Sequence, residues 1–216
     1  YQLVQSEATS GGRYRISFVG DLPPMGYRTY RLVRRAAPVE LPKVEASDTV
    51  AENSRFRLEF DPETGFIKSL RDKRRELEVF TGAAAMPVVI DDPSDTWSHN
   101  VFSFDKVIGE FKASSVRLVE HGAVKAVIRV TSAYGSSTLV QDFAVYRDLD
   151  QIDVSVTVDW REHWKALKLR FPVNVHLHKV TYEAPYGSIE RFANGEEDPA
   201  QAWVDVSGSS RDNNAV

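Results

Sequence analysis

Apolar and polar residues alternate along much of this chain, and a period of two is typical of β-strands that bury one face. The clearest case is the stretch 152–158, in which isoleucine and valine alternate with aspartate, serine and threonine. The stretch 124–130 repeats the pattern and places Lys125 and Arg129 on its polar side. The same reading predicts seven further strands, over residues 14–19, 27–33, 55–60, 115–120, 138–147, 167–175 and 180–183.

Short turn signals separate these predicted strands. In Asp61-Pro-Glu-Thr-Gly65, proline presets φ for a turn and Gly65 can adopt the left-handed conformation that follows. His121-Gly122 and the stretch 147–150 are further turn signals. No stretch carries a helical stripe of more than about two turns. Many strands with short turns and no helices predict an all-β protein, an antiparallel β-sandwich.

The pattern also predicts how the chain is divided. Residues 1–36 are interpreted as the end of a small β domain, a small partial β segment at the N-terminus. Residues 37–50 contain two prolines and no clean alternation, so they are interpreted as a linker. Residues 51–208 form the large β-sandwich domain, expected to be truncated at its C-terminal end, and residues 209–216 are a polar tail. Two strands alone are marginal in water, so the first segment must pair with later residues or with chain upstream. The first residue is not methionine, so we expect a piece of a longer protein.

Composition excludes several classes of partner and chemistry. The 216 residues contain no cysteine, which removes disulfides, thiolate metal sites and cysteine nucleophiles. The net charge is −4, and basic and acidic side chains are intermixed, so no basic stripe for nucleic acid is present. No apolar segment approaches the roughly 20 residues of a membrane helix, and no secretory signal is visible. These observations predict a protein of the reducing cytoplasm.

One short stretch concentrates candidate chemistry. In Val89-Ile-Asp-Asp-Pro-Ser-Asp-Thr-Trp-Ser-His-Asn100, Asp92, Asp95, Trp97 and His99 follow an apolar run. Carboxylates can bind sugar hydroxyls while an indole packs on the apolar face of a pyranose ring. The alternative is an Asx-type turn that leaves a buried strand, with the tryptophan capping the core. Spacing along the chain does not fix the distance between two carboxyl groups, so it supports no role in glycoside hydrolysis.

Two other groups of residues are ambiguous. Trp160 and Trp164 are either an aromatic platform for a sugar or a hydrophobic plug at one end of the sandwich, and the pattern favours the plug. His176 and His178 share one face of a predicted strand and could form a zinc site with His163, but a polar strand face is the favoured interpretation. No serine nucleophile elbow, phosphate-binding glycine loop or HExxH motif is present.

Five blocks of sequence resemble family 38 glycoside hydrolases, the retaining α-mannosidases, and they occur in the family's order over about residues 14–208. The most specific is YEAPYGSIER (182–191) followed by NGEEDPAQAWVDVSG (194–208). The others are LPPMGYRTYRL, NSRFRLEFDPETGFIKSLRDK, DDPSDTWSHN and WREHWKALKLRFPV. Within the first block, Tyr186, Glu190 and Arg191 could contact a ligand, or an arginine–carboxylate fork could position a loop.

The resemblance implies a galactose-mutarotase-like supersandwich and a supporting function. In this family the catalytic carboxylates and the zinc ligands belong to an N-terminal catalytic domain, whose motifs do not occur here. No residue of this chain is therefore expected to be catalytic or to bind a metal, and zinc is expected only in the catalytic domain of the parent enzyme. The chain alone is expected to be inactive.

The resemblance thus predicts the non-catalytic β-sandwich portion of a retaining, zinc-dependent α-mannosidase that hydrolyses terminal α-mannosides. Its expected partners are the catalytic domain of the same polypeptide and, through the whole enzyme, a mannose-containing oligosaccharide. Asp92, Asp95, Trp97 and His99 are expected to line the substrate pocket, or alternatively to tie the sandwich to the catalytic domain. Two other functions stay open: a free-standing carbohydrate-binding module, and a structural or oligomerisation domain.

Overall fold

The computed structural model describes residues 4–33, 41–94 and 97–209. In these residues it shows β-strands and one 3₁₀ turn (Ser10–Gly12), but no α-helix. The strands are β1 Val4–Ala8, β2 Tyr14–Phe18, β3 Glu45–Ala46, β4 Val50–Glu52, β5 Phe56–Phe60, β6 Ile67–Asp72, β7 Leu77–Glu78, β8 Met86–Asp91, β9 Val107–Glu110, β10 Lys112–His121, β11 Lys125–Tyr134, β12 Ser137–Tyr146, β13 Ile152–Asp159, β14 Lys165–Arg170, β15 His176–Ala184, β16 Gly187–Arg191 and β17 Val204–Ser209. Every pair of neighbouring strands is antiparallel, so the all-β prediction is confirmed. Asp95, residues 34–40 and the tail from residue 210 lie outside the described residues.

The centre of the protein is a sheet with the strand order β10-β11-β12-β13. Its strands overlap the four predicted segments between residues 115 and 158, which are confirmed as strands, although Val124 and Arg147 lie one residue outside them. The sheet packs against a second sheet, β3-β4-β5-β6-β7, and the two share one apolar core. At its centre Phe60 meets Phe143 edge-on, with ring centroids 4.8 Å apart. This pair of layers is the predicted sandwich.

The edge strand β13 is less buried than its pattern predicts. Val154, Val156 and Val158 face the core side of the sheet, because their partners on β12 include the buried Phe143 and Leu139. They are nevertheless 40–43 % exposed. The strand itself was predicted correctly, but the prediction that one of its faces is buried was wrong. Alternation along a strand does not show whether a second layer covers the edge of the sheet.

The N-terminal residues form a hairpin, β1-β2, whose buried Gln5 bonds the sandwich. The Gln5 amide oxygen accepts hydrogen bonds from the N–H groups of Val124 and Lys125, both at 2.9 Å. The predicted strand over residues 27–33 is wrong. Here Tyr30 packs on Phe18 instead, with ring centroids 5.0 Å apart, so local side-chain contacts replace sheet pairing.

A third sheet, with the order β14-β8-β9, continues the sandwich towards one end. A second apolar cluster around Val89, Phe111 and Leu139 joins it to the central sheet. The predicted strand 167–175 is too long, because β14 ends at Arg170, two residues before Pro172. Proline has no N–H to donate and is unfavourable inside a paired strand. A fourth sheet, β16-β15-β17, contains the last predicted strand.

Among the described residues, no helix is long and apolar enough to span a bilayer.

Candidate functional site

The candidate site is the loop of residues 92–106, which connects β8 to β9 at one end of the third sheet. The two strands close its base. The N–H of Asp91 donates to the carbonyl of Lys106 at 2.9 Å, and the two side chains form an ion pair at 2.6 Å. Lys106 is largely exposed, so the backbone pairing contributes more to closing the loop than the charges do.

The loop folds around a cleft of about 460 Å³. Its walls carry carboxylates, hydroxyls, an imidazole and an ammonium group, with apolar contributions from Pro93, Val101 and Phe104. The polar residues are Asp91, Asp92, Ser94, His99, Ser103, Asp105 and Lys106. Such a mixture can donate and accept hydrogen bonds around a small polar ligand.

The structure brings two of the predicted site residues together and places the third nearby. Asp92 and His99 both line the cleft. Trp97 belongs to the same loop and is 81 % exposed, so it does not cap the core. Asp95 lies outside the described residues.

Asp92 also forms the predicted Asx-type turn. Its carboxylate accepts hydrogen bonds from the hydroxyl of Ser94 and, at 3.4 Å, from the N–H of Ser94. The N–H of Asp92 donates to the carbonyl of Trp164 at 3.0 Å. The two interpretations of this residue are therefore compatible, because Asp92 both shapes the turn and lines the cleft.

The loop reverses direction through unusual backbone geometry. Ser98 and Asn100 have φ values of 52° and 58°, in the left-handed region. Asparagine adopts this region more readily than most residues, whereas serine adopts it less readily than asparagine. These two residues flank His99, and the bends on either side of it set how the imidazole is presented to the cleft.

A cluster of three residues joins the site loop to β14 and to the segment between β16 and β17. We call it the Glu197 clasp, and it consists of Glu197, Lys168 and Phe104. The Glu197 carboxylate accepts hydrogen bonds from the N–H of Phe104 at 2.7 Å and from Nζ of Lys168 on β14. The Lys168 ammonium also bonds the carbonyl of Phe104 and lies 5.9 Å from the centre of its ring. The N–H of Glu197 donates to the carbonyl of Phe102 at 2.9 Å.

The electrostatics of the clasp favour the ionised carboxylate. Partial burial acts to raise the pKa of Glu197, but the hydrogen bonds from Lys168 and Phe104 and the Lys168 charge outweigh it, so the pKa lies below its ordinary value. Sequence reasoning missed this cluster. Two of its residues belong to the blocks that resemble family 38, but nothing in the pattern indicates that they meet across 29 residues of chain.

The two tryptophans considered as a pair have different roles. Trp160 stacks on Phe111, with ring centroids 6.3 Å apart and planes 27° apart, so it is the plug. Trp164 is 71 % exposed.

The histidines that could have formed a zinc site are not brought together. Pairing of β15 is irregular between His176 and Lys179, and Leu177 has a φ of 46°, which interrupts the alternation assumed for the two histidines. Among the described residues, no group of three histidine, aspartate or glutamate side chains could hold a metal ion.

Arg191, from the most specific sequence block, positions a loop. It forms an ion pair with Asp198, and its guanidinium lies 5.5 Å from the centre of the Tyr182 ring. Glu190 pairs with Lys179 at 2.5 Å, and Tyr186 stands fully exposed in the turn between β15 and β16.

These features define a class: an antiparallel β-sandwich with a polar cleft in one end loop. Residues 51–213 match the family model described as "Glycosyl hydrolases family 38 C-terminal domain". The chain therefore belongs to this family, which confirms the resemblance seen in the sequence.

Comparison of structures gives the same fold. The chain resembles an α-mannosidase from Enterococcus faecalis V583, with a TM-score of 0.60 and 13 % sequence identity. The match covers 77 % of this chain but only 23 % of that protein. At this identity the likeness shows the fold alone. No curated protein matches the chain.

Proposed function

We propose that this chain is the non-catalytic β-sandwich portion of a retaining, zinc-dependent α-mannosidase that hydrolyses terminal α-mannosides. Membership of the family 38 C-terminal domain over residues 51–213 is the observation that carries the proposal. The catalytic carboxylates and the zinc ion are assigned to a catalytic domain of the same polypeptide, and no residue of this chain is proposed as a metal ligand.

The loop of residues 92–106 is the part of the sandwich that we assign to the substrate pocket. Its cleft offers carboxylate, hydroxyl and imidazole groups, and Trp97 adds an exposed indole. Hydroxyl-rich ligands are bound by this combination of hydrogen-bonding groups and an aromatic surface. We therefore propose Asp92, Asp95, Trp97 and His99 as substrate-contacting residues, with the sandwich packing on the catalytic domain so that this loop completes the pocket.

The test uses the longer protein that carries this chain together with its catalytic domain. It should hydrolyse an aryl α-mannoside, release α-mannose as the first product seen by NMR, and lose activity to a chelator until zinc is restored. Absence of α-mannosidase activity, or release of the β-anomer, would refute the proposal.

The role of the loop has its own test. His99→Ala and Trp97→Ala in the longer protein should raise KM by about fivefold or more, since each removes a ligand contact. Arg75→Ala, a change distant in sequence and outside the cleft lining, is the matched control and should leave KM unchanged. Equal KM values for all variants would remove the loop from the pocket.

A second candidate, a free-standing carbohydrate-binding module, is favoured by the two exposed indoles Trp97 and Trp164 at one end of the sandwich. Calorimetry of the 216-residue chain with mannose and oligomannosides separates the two. Millimolar or tighter binding by the chain alone would support the module, whereas the first proposal expects no heat of binding without the catalytic domain.

A further inference from the structure

Trp164 is a tryptophan that the fold leaves outside its core. Trp160, four residues earlier, packs on Phe111 and already fills the end of the sandwich. Trp164 is 71 % exposed. Because an indole gains stability mainly by leaving water, packing within this chain does not explain why a tryptophan stands here.

The backbone of Trp164 is held in an uncommon conformation. Its φ of 55° lies in the left-handed region, which large side chains rarely adopt. Two neighbouring contacts maintain it. The carbonyl of Trp164 accepts the hydrogen bond from the N–H of Asp92 at 3.0 Å, and the next residue, Lys165, pairs with Asp91 in the sheet. Backbone outliers that the surrounding structure holds in place are concentrated at binding and catalytic sites.

These contacts place Trp164 at the point where the site loop begins. Asp92 lines the cleft with its side chain and bonds Trp164 with its backbone. A ligand bound beside Asp92 is therefore near the backbone of residue 164, and a ligand longer than one sugar unit can extend from the cleft along this side of the loop.

The chemistry on the two sides is complementary to a carbohydrate chain. The cleft supplies groups that bond hydroxyls, chiefly Asp92, Ser94 and His99. The indole supplies a flat apolar surface that suits the C–H face of a pyranose ring. We infer that Trp164 is an aromatic platform for a second pyranose unit of an oligomannoside, next to the unit bound at the cleft. This inference rests on the proposed function and adds a preference for longer substrates to it.

The experiment compares a short and a long substrate in the longer protein that carries the catalytic domain. The substrates are an aryl α-mannoside and a linear α-linked mannotriose. In Trp164→Ala we expect KM for the trisaccharide to rise at least about fivefold, with kcat and KM for the aryl mannoside within about twofold of wild type. Trp164→Phe keeps an aromatic ring and should retain most of the affinity.

Leu177→Ala is the matched control. Leu177 is also large, apolar and at positive φ (46°), and it is 91 % exposed, but it lies on β15 and outside the cleft lining. This variant should leave both substrates unaffected. A second readout is intrinsic fluorescence. Titration with the trisaccharide should change the emission of the wild type, and Trp164→Phe should reduce that change to the part that comes from Trp97.

Three results would overturn the inference: unchanged trisaccharide kinetics in Trp164→Ala, an equal loss on both substrates, or the same loss in Leu177→Ala. An equal loss accompanied by a lower melting temperature would instead place the indole against the catalytic domain. If the wild type hydrolyses neither substrate, the proposed function fails, and the fluorescence titration still decides whether Trp164 binds the trisaccharide.

Discussion

The carboxylate of Glu197 accepts a hydrogen bond from the backbone N–H of Phe104, with 2.7 Å between Oε1 and N. The two residues are 93 positions apart. This bond joins the loop of the candidate site to the segment between β16 and β17, and Lys168 on β14 bonds the same carboxylate oxygen. The shape of the loop therefore depends on residues outside it.

Removing the Glu197 carboxylate should loosen the candidate site. Glu197→Ala leaves the Phe104 N–H and the Lys168 ammonium without their acceptor, so we expect a loss of about 1 kcal/mol in the free energy of unfolding, given the partial exposure of the pair. Hydrogen exchange of the Phe104 amide should become faster. Glu196→Ala is the control, because Glu196 bonds only its neighbour Asn194 among the contacts described. Unchanged protection at Phe104 in Glu197→Ala would show that the clasp does not hold the loop.

The clasp should also respond to pH. The pKa of Glu197 in the folded protein lies below the ordinary glutamate value of 4.5, so the clasp stabilises the fold fully above that value. The contribution declines as the pH falls below 4.5 and is lost once the pH has passed below the folded-state pKa. NMR titration of the Phe104 amide should follow this proton, and Glu197→Gln should abolish the transition. A transition that persists in Glu197→Gln would assign the proton to another group.

Gln5 and Gly122 should act as one unit in docking the N-terminal hairpin. A Cβ at position 122 would lie 2.0 Å from Cδ of Gln5, so Gly122→Ala must displace the glutamine from the N–H groups it bonds. Gln5→Ala removes the same contacts directly. We expect each variant to lower the unfolding free energy by about 1–3 kcal/mol and the double variant to be little worse than either. Additive losses would contradict this coupling.

Gly65 should tolerate no side chain. Its φ is 73°, and a Cβ would lie 2.6 Å from Cγ1 of Val130 and 2.9 Å from Cβ of Ala113. Gly65→Ala should therefore destabilise the fold by about 2 kcal/mol or more, through backbone strain and overpacking together. Gly82→Ala is the control, since nothing lies within 4 Å of the position that a Cβ would occupy there and the φ of Gly82 is not positive. Chemical denaturation of both variants measures the difference.

The two tryptophans should differ in their effect on stability. Trp160→Ala removes a ring that stacks on Phe111 in the second core cluster, so we expect a loss of about 2–4 kcal/mol. Trp164→Ala removes an exposed side chain at a strained position and should change stability by no more than about 0.5 kcal/mol. Thermal unfolding of the two variants checks this. A large loss in Trp164→Ala would mean that its indole packs on the protein after all.

Local signals predicted the central sheet well. The strands around residues 128 and 143 have alternating apolar and polar side chains and turn residues at their ends. Both features depend only on residues that are close together in the sequence. The turn that ends at Gly65 was predicted for the same reason, and its φ confirms the left-handed conformation. The short strands β3, β7 and β9 were missed because segments of two to four residues carry too little periodicity to recognise.

Contacts between distant segments were not predictable in this way. The expected strand over residues 27–33 has a suitable composition but no partner strand among the described residues, and a strand is stable only when it is paired. The partial exposure of Val156 has a related cause. Its burial depends on whether another layer covers it, and alternation along the strand does not show this. Asp92 and His99 could be chosen as candidates from their residue types, but their position in one cleft required the fold.

By itself, the sequence determined that this is an antiparallel β-protein, where its main turns fall, and, through the five blocks, which family it resembles. Those properties depend on backbone preferences and on short-range order, which adjacent residues encode. Only the tertiary structure decided that Glu197 holds the candidate loop, that Trp160 packs on the core while Trp164 is exposed, and that Gln5 docks the hairpin. Each of these depends on which segments come within a few ångströms of each other, and that distance is set by how the whole chain packs.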